Sequence, residues 1–81
     1  MIHPVLTYQF MKNDPIGFPH RLFGALPEDL VIYEAFNDQF PSTLDGYGIR
    51  GKDYVTGYGS KVFNIYFKDK VNAMRFKLAW A

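Results

Sequence analysis

The chain contains no cysteine, so neither a disulfide nor a thiolate zinc site is open to it. It also lacks any apolar run near the ~20 residues that a membrane span needs. Met1-Ile2-His3-Pro4 has neither the basic region nor the continuous apolar stretch of a signal peptide. These absences point to a soluble cytoplasmic protein with no membrane partner. Catalytic and metal-binding patterns are missing as well. The two histidines, His3 and His20, belong to no H-x₃-H or H-E-x-x-H spacing, and neither a metal nor a cofactor is expected. Ser42 and Ser60 lie in no G-x-S-x-G elbow, and Gly57-Tyr58-Gly59-Ser60-Lys61 lacks the G-x-x-x-x-G-K-[ST] spacing of a phosphate loop. So short a chain has little material for a water-excluding cleft. No enzyme is expected.

What is abundant is aromatic bulk: eight Phe, six Tyr and one Trp in 81 residues. A single domain over residues 1–81 would bury only about 60–65% of its unfolded surface. Its core must come from these rings, each able to hide about 150–250 Å². Burial of some of them against another copy would make a homo-oligomer. Charge is divided along the chain. Six acids against two bases leave residues 1–45 at −4, and seven bases against two acids leave the remainder at +5. Such a split can make one acidic and one basic face.

Val5 to Met11 alternates, with Leu6, Tyr8 and Phe10 on one side, and reads as a strand ended by Asn13-Asp14-Pro15. Phe18 to Phe23 is aromatic without a period and receives no assignment. Pro27-Glu28-Asp29 resembles the first turn of a helix. Leu30, Tyr33, Phe36 and Phe40 form its apolar stripe, Glu34 and Asp38 lie opposite, and Pro41 should stop it near Gln39 or Phe40. Tyr47 to Thr56 reads as a bulged strand weakened by glycine, Gly57 to Ser60 as a hairpin turn, and Lys61 to Lys68 as its partner strand. Asp69 is a candidate N-cap for a helix from Lys70, which either runs to Leu78 or, the favoured reading, gives way near Phe76 to a short strand over Lys77 to Trp80. The expected fold class is therefore α+β: a small antiparallel sheet with two helices in the split β-α-β, ferredoxin-like order.

Glu34 and Asp38 are best read as a solvated helix face, with mimicry of an acidic polymer as the sharper alternative. The basic, aromatic second half offers more. Arg50, Lys52, Tyr54, Tyr58, Lys61 and Tyr66 fall on the paired strands and their turn, where Arg50, Lys52 and Tyr54 on one face would suit phosphates and stacked bases. Aromatics and Arg are also the usual anchors of protein interfaces, which adds Trp80 to Arg50, Tyr54 and Tyr58. Lys61 to Lys68 is similar to the aromatic third strand of an RNA-recognition motif, although Val62 and Asn64 stand where that motif has small residues.

Val62-Phe63-Asn64-Ile65-Tyr66-Phe67-Lys68-Asp69, followed by Ala73-Met74-Arg75-Phe76-Lys77-Leu78-Ala79-Trp80, resembles the ending of small accessory proteins of tailed bacteriophages. The segment spans about a quarter of the chain. The resemblance implies a binder that redirects or blocks a host protein in the host cytoplasm. The leading expectation is thus a non-enzymatic interaction protein, a phage-encoded inhibitor or modulator of a host protein. The alternatives are a small protein that binds single-stranded nucleic acid through the basic hairpin, and a self-associating structural component.

Overall fold

The computed structural model describes residues 5–13 and 16–80, so His3, Asp14 and Pro15 lie outside it. Its elements follow in the order β1 (Thr7–Phe10), β2 (His20–Ala25), α1 (Leu30–Thr43), β3 (Tyr54–Tyr58), β4 (Val62–Phe67) and α2 (Lys70–Trp80). The four strands form one antiparallel sheet in the order β1-β2-β4-β3. The α+β composition is as expected, but the order β-β-α-β-β-α is not the β-α-β-β-α-β one. The unassigned aromatic stretch contributes to β2, which sits between β1 and β4. The stretch Lys77 to Trp80 belongs to α2. It stays helical because Phe76 and Trp80, four apart, both enter the core, stacked at 5.5 Å between ring centroids.

Strand alternation explains which face is covered. The register sets Leu22 against Ile65, Gly24 against Phe63, and Tyr54 against Phe67, all on one side. Both helices lie over that side. Phe36 and Phe40 of α1 meet the Phe63 ring at 4.9 and 5.3 Å, and Phe76 of α2 meets Phe67 at 5.8 Å. Gly24 is required here: a Cβ on it would come within 3.0 Å of the Phe63 ring and 3.1 Å of the Val5 carbonyl oxygen. The core is therefore a stack of rings, as the composition suggested.

Helix boundaries differ from the pattern at both ends of α1. Asp29 is its N-cap and not part of its first turn: the Asp29 carboxylate accepts from Val31 N–H (2.9 Å) and Ile32 N–H (3.1 Å). Pro41 does not stop it. Proline removes a single N–H near the C-terminus, and the last turn is tied by Ser42 Oγ donating to Gln39 O (2.8 Å) and Thr43 Oγ1 to Phe40 O (2.6 Å). Of the expected stripe, Phe36 and Phe40 are buried and Tyr33 half-buried, while Leu30 at the helix start is 68% exposed. Among the described residues no helix is long and apolar enough to cross a membrane.

Candidate functional site

The expected strand from Tyr47 is shorter than its pattern. Gly46, Gly48 and Gly51 all have positive φ (89°, 109° and 87°), which breaks an extended run and makes a tight loop before β3. That loop is closed by Asp53, whose carboxylate accepts from Ile49 N–H (2.7 Å) and whose N–H donates to Ile49 O (2.8 Å). Gly51 N–H donates to Tyr54 O at 2.7 Å. A Cβ on Gly48 would collide with the Asp53 side chain. The result is to set Arg50 beside Tyr54 in a short parallel bridge.

Arg50 then stands at one side of a cleft between α1 and β3. Phe40, Pro41 and Leu44 line it from the helix side and Tyr54, Thr56 and Tyr58 from the strand, with a volume of about 120 Å³. This is well below the roughly 300–1,000 Å³ of small-molecule and cofactor sites. Tyr58, 52% exposed, reaches back across the cleft: its hydroxyl donates to Asn37 Oδ1 at 3.1 Å. Partial burial pushes the Tyr58 phenol above its ordinary value, with nearby Tyr33 adding and Arg50 opposing. The phenol is therefore a protonated donor at neutral pH.

Among the described residues, no strand pairs with the outer side of the backbone beside this cleft. β3 is an outer strand. Gly59 N–H donates to Val62 O (2.9 Å) and Lys68 N–H to Asp53 O (3.1 Å), which fixes the phase of the β3–β4 ladder. Val55 and Gly57 turn their backbone groups towards β4, and Tyr54, Thr56 and Tyr58 turn theirs outward. The loop takes the Tyr54 carbonyl. Thr56 and Tyr58 are left as outward rungs, on an edge with neither Pro nor Lys within the strand to blunt it.

Of the seven candidate residues, Arg50, Tyr54 and Tyr58 are thus brought together. The others are not. Lys52 is exposed in the loop before β3, and Lys61 is exposed in the β3–β4 turn, where its φ is 67°. Tyr66 lies on the opposite face of the sheet, because it alternates with Ile65 and Phe67. Two expectations need correction. Trp80 is 6% exposed and packs against Phe36, Phe40, Phe63 and Phe76, so it is a core ring and not an interface anchor. Tyr54 is buried against Phe67, so it forms a wall of the cleft and shares no outer face with Lys52. Sequence reasoning missed Thr56 and Asn37. Thr56 was available from its place between Tyr54 and Tyr58 on one strand face; Asn37 carried no signal.

Among the described residues, no group of three or more His, Asp or Glu could hold a metal ion. Comparison of the chain with models of known families, with curated proteins and with solved structures finds no match.

Proposed function

We propose that the protein is a non-enzymatic interaction module, which modulates a partner protein by taking up an extended segment of it along β3. One observation carries this reading: two outward backbone rungs, Thr56 and Tyr58, run beside a cleft with an arginine at its side. An added strand would pair with those rungs and place alternate side chains into the cleft, the mode in which main-chain bonds supply affinity and pockets supply specificity. Arg50 favours a segment carrying a carboxylate, which its planar fork can bind through two N–H groups. The resemblance of residues 62–80 to tailed-phage endings would make the partner a bacterial host protein, met in the host cytoplasm. We further read the architecture as a ferredoxin-like sheet whose outer strand comes from the N-terminal side of the chain: β2, α1 and β3 make a β-α-β unit with β4 between its strands.

Selection from a random peptide library, followed by titration of the selected peptide, tests the reading. Thr56→Pro removes an outward N–H that β4 does not use, and proline is tolerated on such an edge; Thr56→Val keeps the N–H. The expected result is a loss of about tenfold or more for Thr56→Pro, the cost of roughly one main-chain hydrogen bond. Thr56→Val should bind nearly as wild type, and Arg50→Ala should weaken acidic peptides selectively. Peptides that bind Thr56→Pro and Arg50→Ala as well as wild type would refute it.

A further inference from the structure

Among the described residues the sheet's other face carries no helix, and its chemistry differs from that of the cleft. Alternation places Gln9 of β1, Arg21 and Phe23 of β2, Asn64 and Tyr66 of β4 and Val55 of β3 on this side. The register arranges them in two rows across the strands, Gln9–Arg21–Tyr66–Val55 and Thr7–Phe23–Asn64–Gly57. Phe23 and Tyr66 are therefore diagonal neighbours on the two central strands.

Arg21 is held in place before any ligand arrives. Its Nε donates to Asn64 Oδ1 at 2.8 Å, one terminal nitrogen donates to Gln9 Oε1 at 2.8 Å, and the guanidinium carbon lies 4.1 Å from the centroid of the Phe23 ring. This explains Asn64, a buried polar side chain at 7% exposure on an otherwise uncovered face: Arg21 covers it and satisfies its oxygen. Among the described residues these bonds use two of the five N–H groups and leave three for an outside acceptor. The ordering entropy of the side chain is already spent.

The electrostatics are one-sided. None of the four strands contains Asp or Glu. Lys68, exposed, continues the alternation of Asn64 and Tyr66 at the end of β4. Asp53, beyond the start of β3, has its carboxylate turned to Ile49 N–H. Glu34 and Asp38 belong to α1, in the layer on the far side of the sheet. A second copy is a poor occupant, because a two-fold axis near the middle of this face would bring two Arg21 together with no acid for either. Two cations and two half-buried rings on adjacent positions match a chain of alternating phosphates and flat bases.

We propose that the helix-free face of the sheet binds single-stranded nucleic acid, with bases stacked on Tyr66 and on the Arg21–Phe23 pair and phosphates at Arg21 and Lys68. The proposal stands on observations separate from those for the β3 edge. It replaces the hairpin surface expected from Arg50, Lys52 and Tyr54 with one built mainly from β2 and β4. Fluorescence anisotropy with labelled oligo(dT) and oligo(U), joined to an amide chemical-shift map, tests it. Neutralising two phosphates predicts affinity falling about sevenfold between 50 and 200 mM salt. Tyr66→Leu should weaken binding by about fivefold or more through lost stacking. Lys68→Gln, at an exposed position that leaves the fold intact, should weaken it and flatten the salt dependence. The largest shifts should fall on Arg21, Phe23, Asn64 and Tyr66. Any one of three results would overturn the proposal: no binding at 50 mM salt, shifts confined to the loops of Lys52 and Lys61, or equal competition by a base-free polyanion such as heparin. A concentration-dependent dimer that perturbs these same amides would overturn it in favour of self-association.

Discussion

Lys61 is the single residue other than glycine that takes a positive φ among those described, at the last position of the three-residue turn between β3 and β4. Turns of this length often place glycine there, and an L-residue in the left-handed region costs roughly 1–2 kcal/mol. Lys61→Gly is therefore expected to raise stability by up to about 1 kcal/mol once glycine's own entropy cost is subtracted, read as a higher urea midpoint. A lower midpoint would mean that the lysine side chain holds the turn. Tyr58 gives a pH prediction. Its phenol has a folded-state pKa above the ordinary value of 10.0, so the folded protein keeps the proton longer than the unfolded chain. The contribution is whole below pH 10.0 and is lost as pH rises through the folded value. Phenolate absorbance of wild type minus that of Tyr58→Phe should titrate with a midpoint above 10.0, and a midpoint below it would contradict the shift. These single residues also mark where reading from sequence stops. Tyr54, Tyr58, Tyr66 and Trp80 are all aromatic and amphipathic, and nothing local separates the core ring Trp80 from the exposed Tyr58.

The elements were legible where local chemistry decides them. Asp69 caps α2 as its position before Lys70 suggests, accepting from Val71 N–H at 2.7 Å. Asp69→Ala should cost about 1 kcal/mol, measured by thermal or urea unfolding; no change would show that packing of Ala73, Phe76 and Trp80 alone holds the helix. β4 could be read because its covered face is uniformly apolar, with Phe63, Ile65 and Phe67 buried. β2 could not. Its covered face runs His20, Leu22, Gly24, and its open face runs Arg21, Phe23, Ala25, so neither side carries an apolar alternation. It is a strand because β1 and β4 pair with it from both sides, which is tertiary information. Missing β2 also displaced the topology, since β1 then stood in for the central strand. The shortened β3 has the opposite cause: a period of two survives in residues 47–56, but three glycines at positive φ override it.

Taken whole, the molecule is a two-layer sandwich that packs most of its rings on one side of a sheet and leaves two kinds of surface elsewhere. The division of charge along the sequence reappears only in part in space. Glu34 and Asp38 sit on α1, and the sheet is free of acid, but its central cation is Arg21, from the acidic half of the chain. Arg50 could be singled out from its type and neighbours, but its placement beside Tyr54 and an outer strand was not legible, because edge position depends on the strand order. Amide hydrogen exchange, resolved by residue, tests the central claim about that edge most directly. In the free protein the amides of Val55 and Gly57 should exchange slowly and those of Thr56 and Tyr58 quickly, and a bound partner segment should slow Thr56 and Tyr58 in particular. Protected Thr56 and Tyr58 amides in the free protein, or amides that stay fast in the complex, would contradict the account.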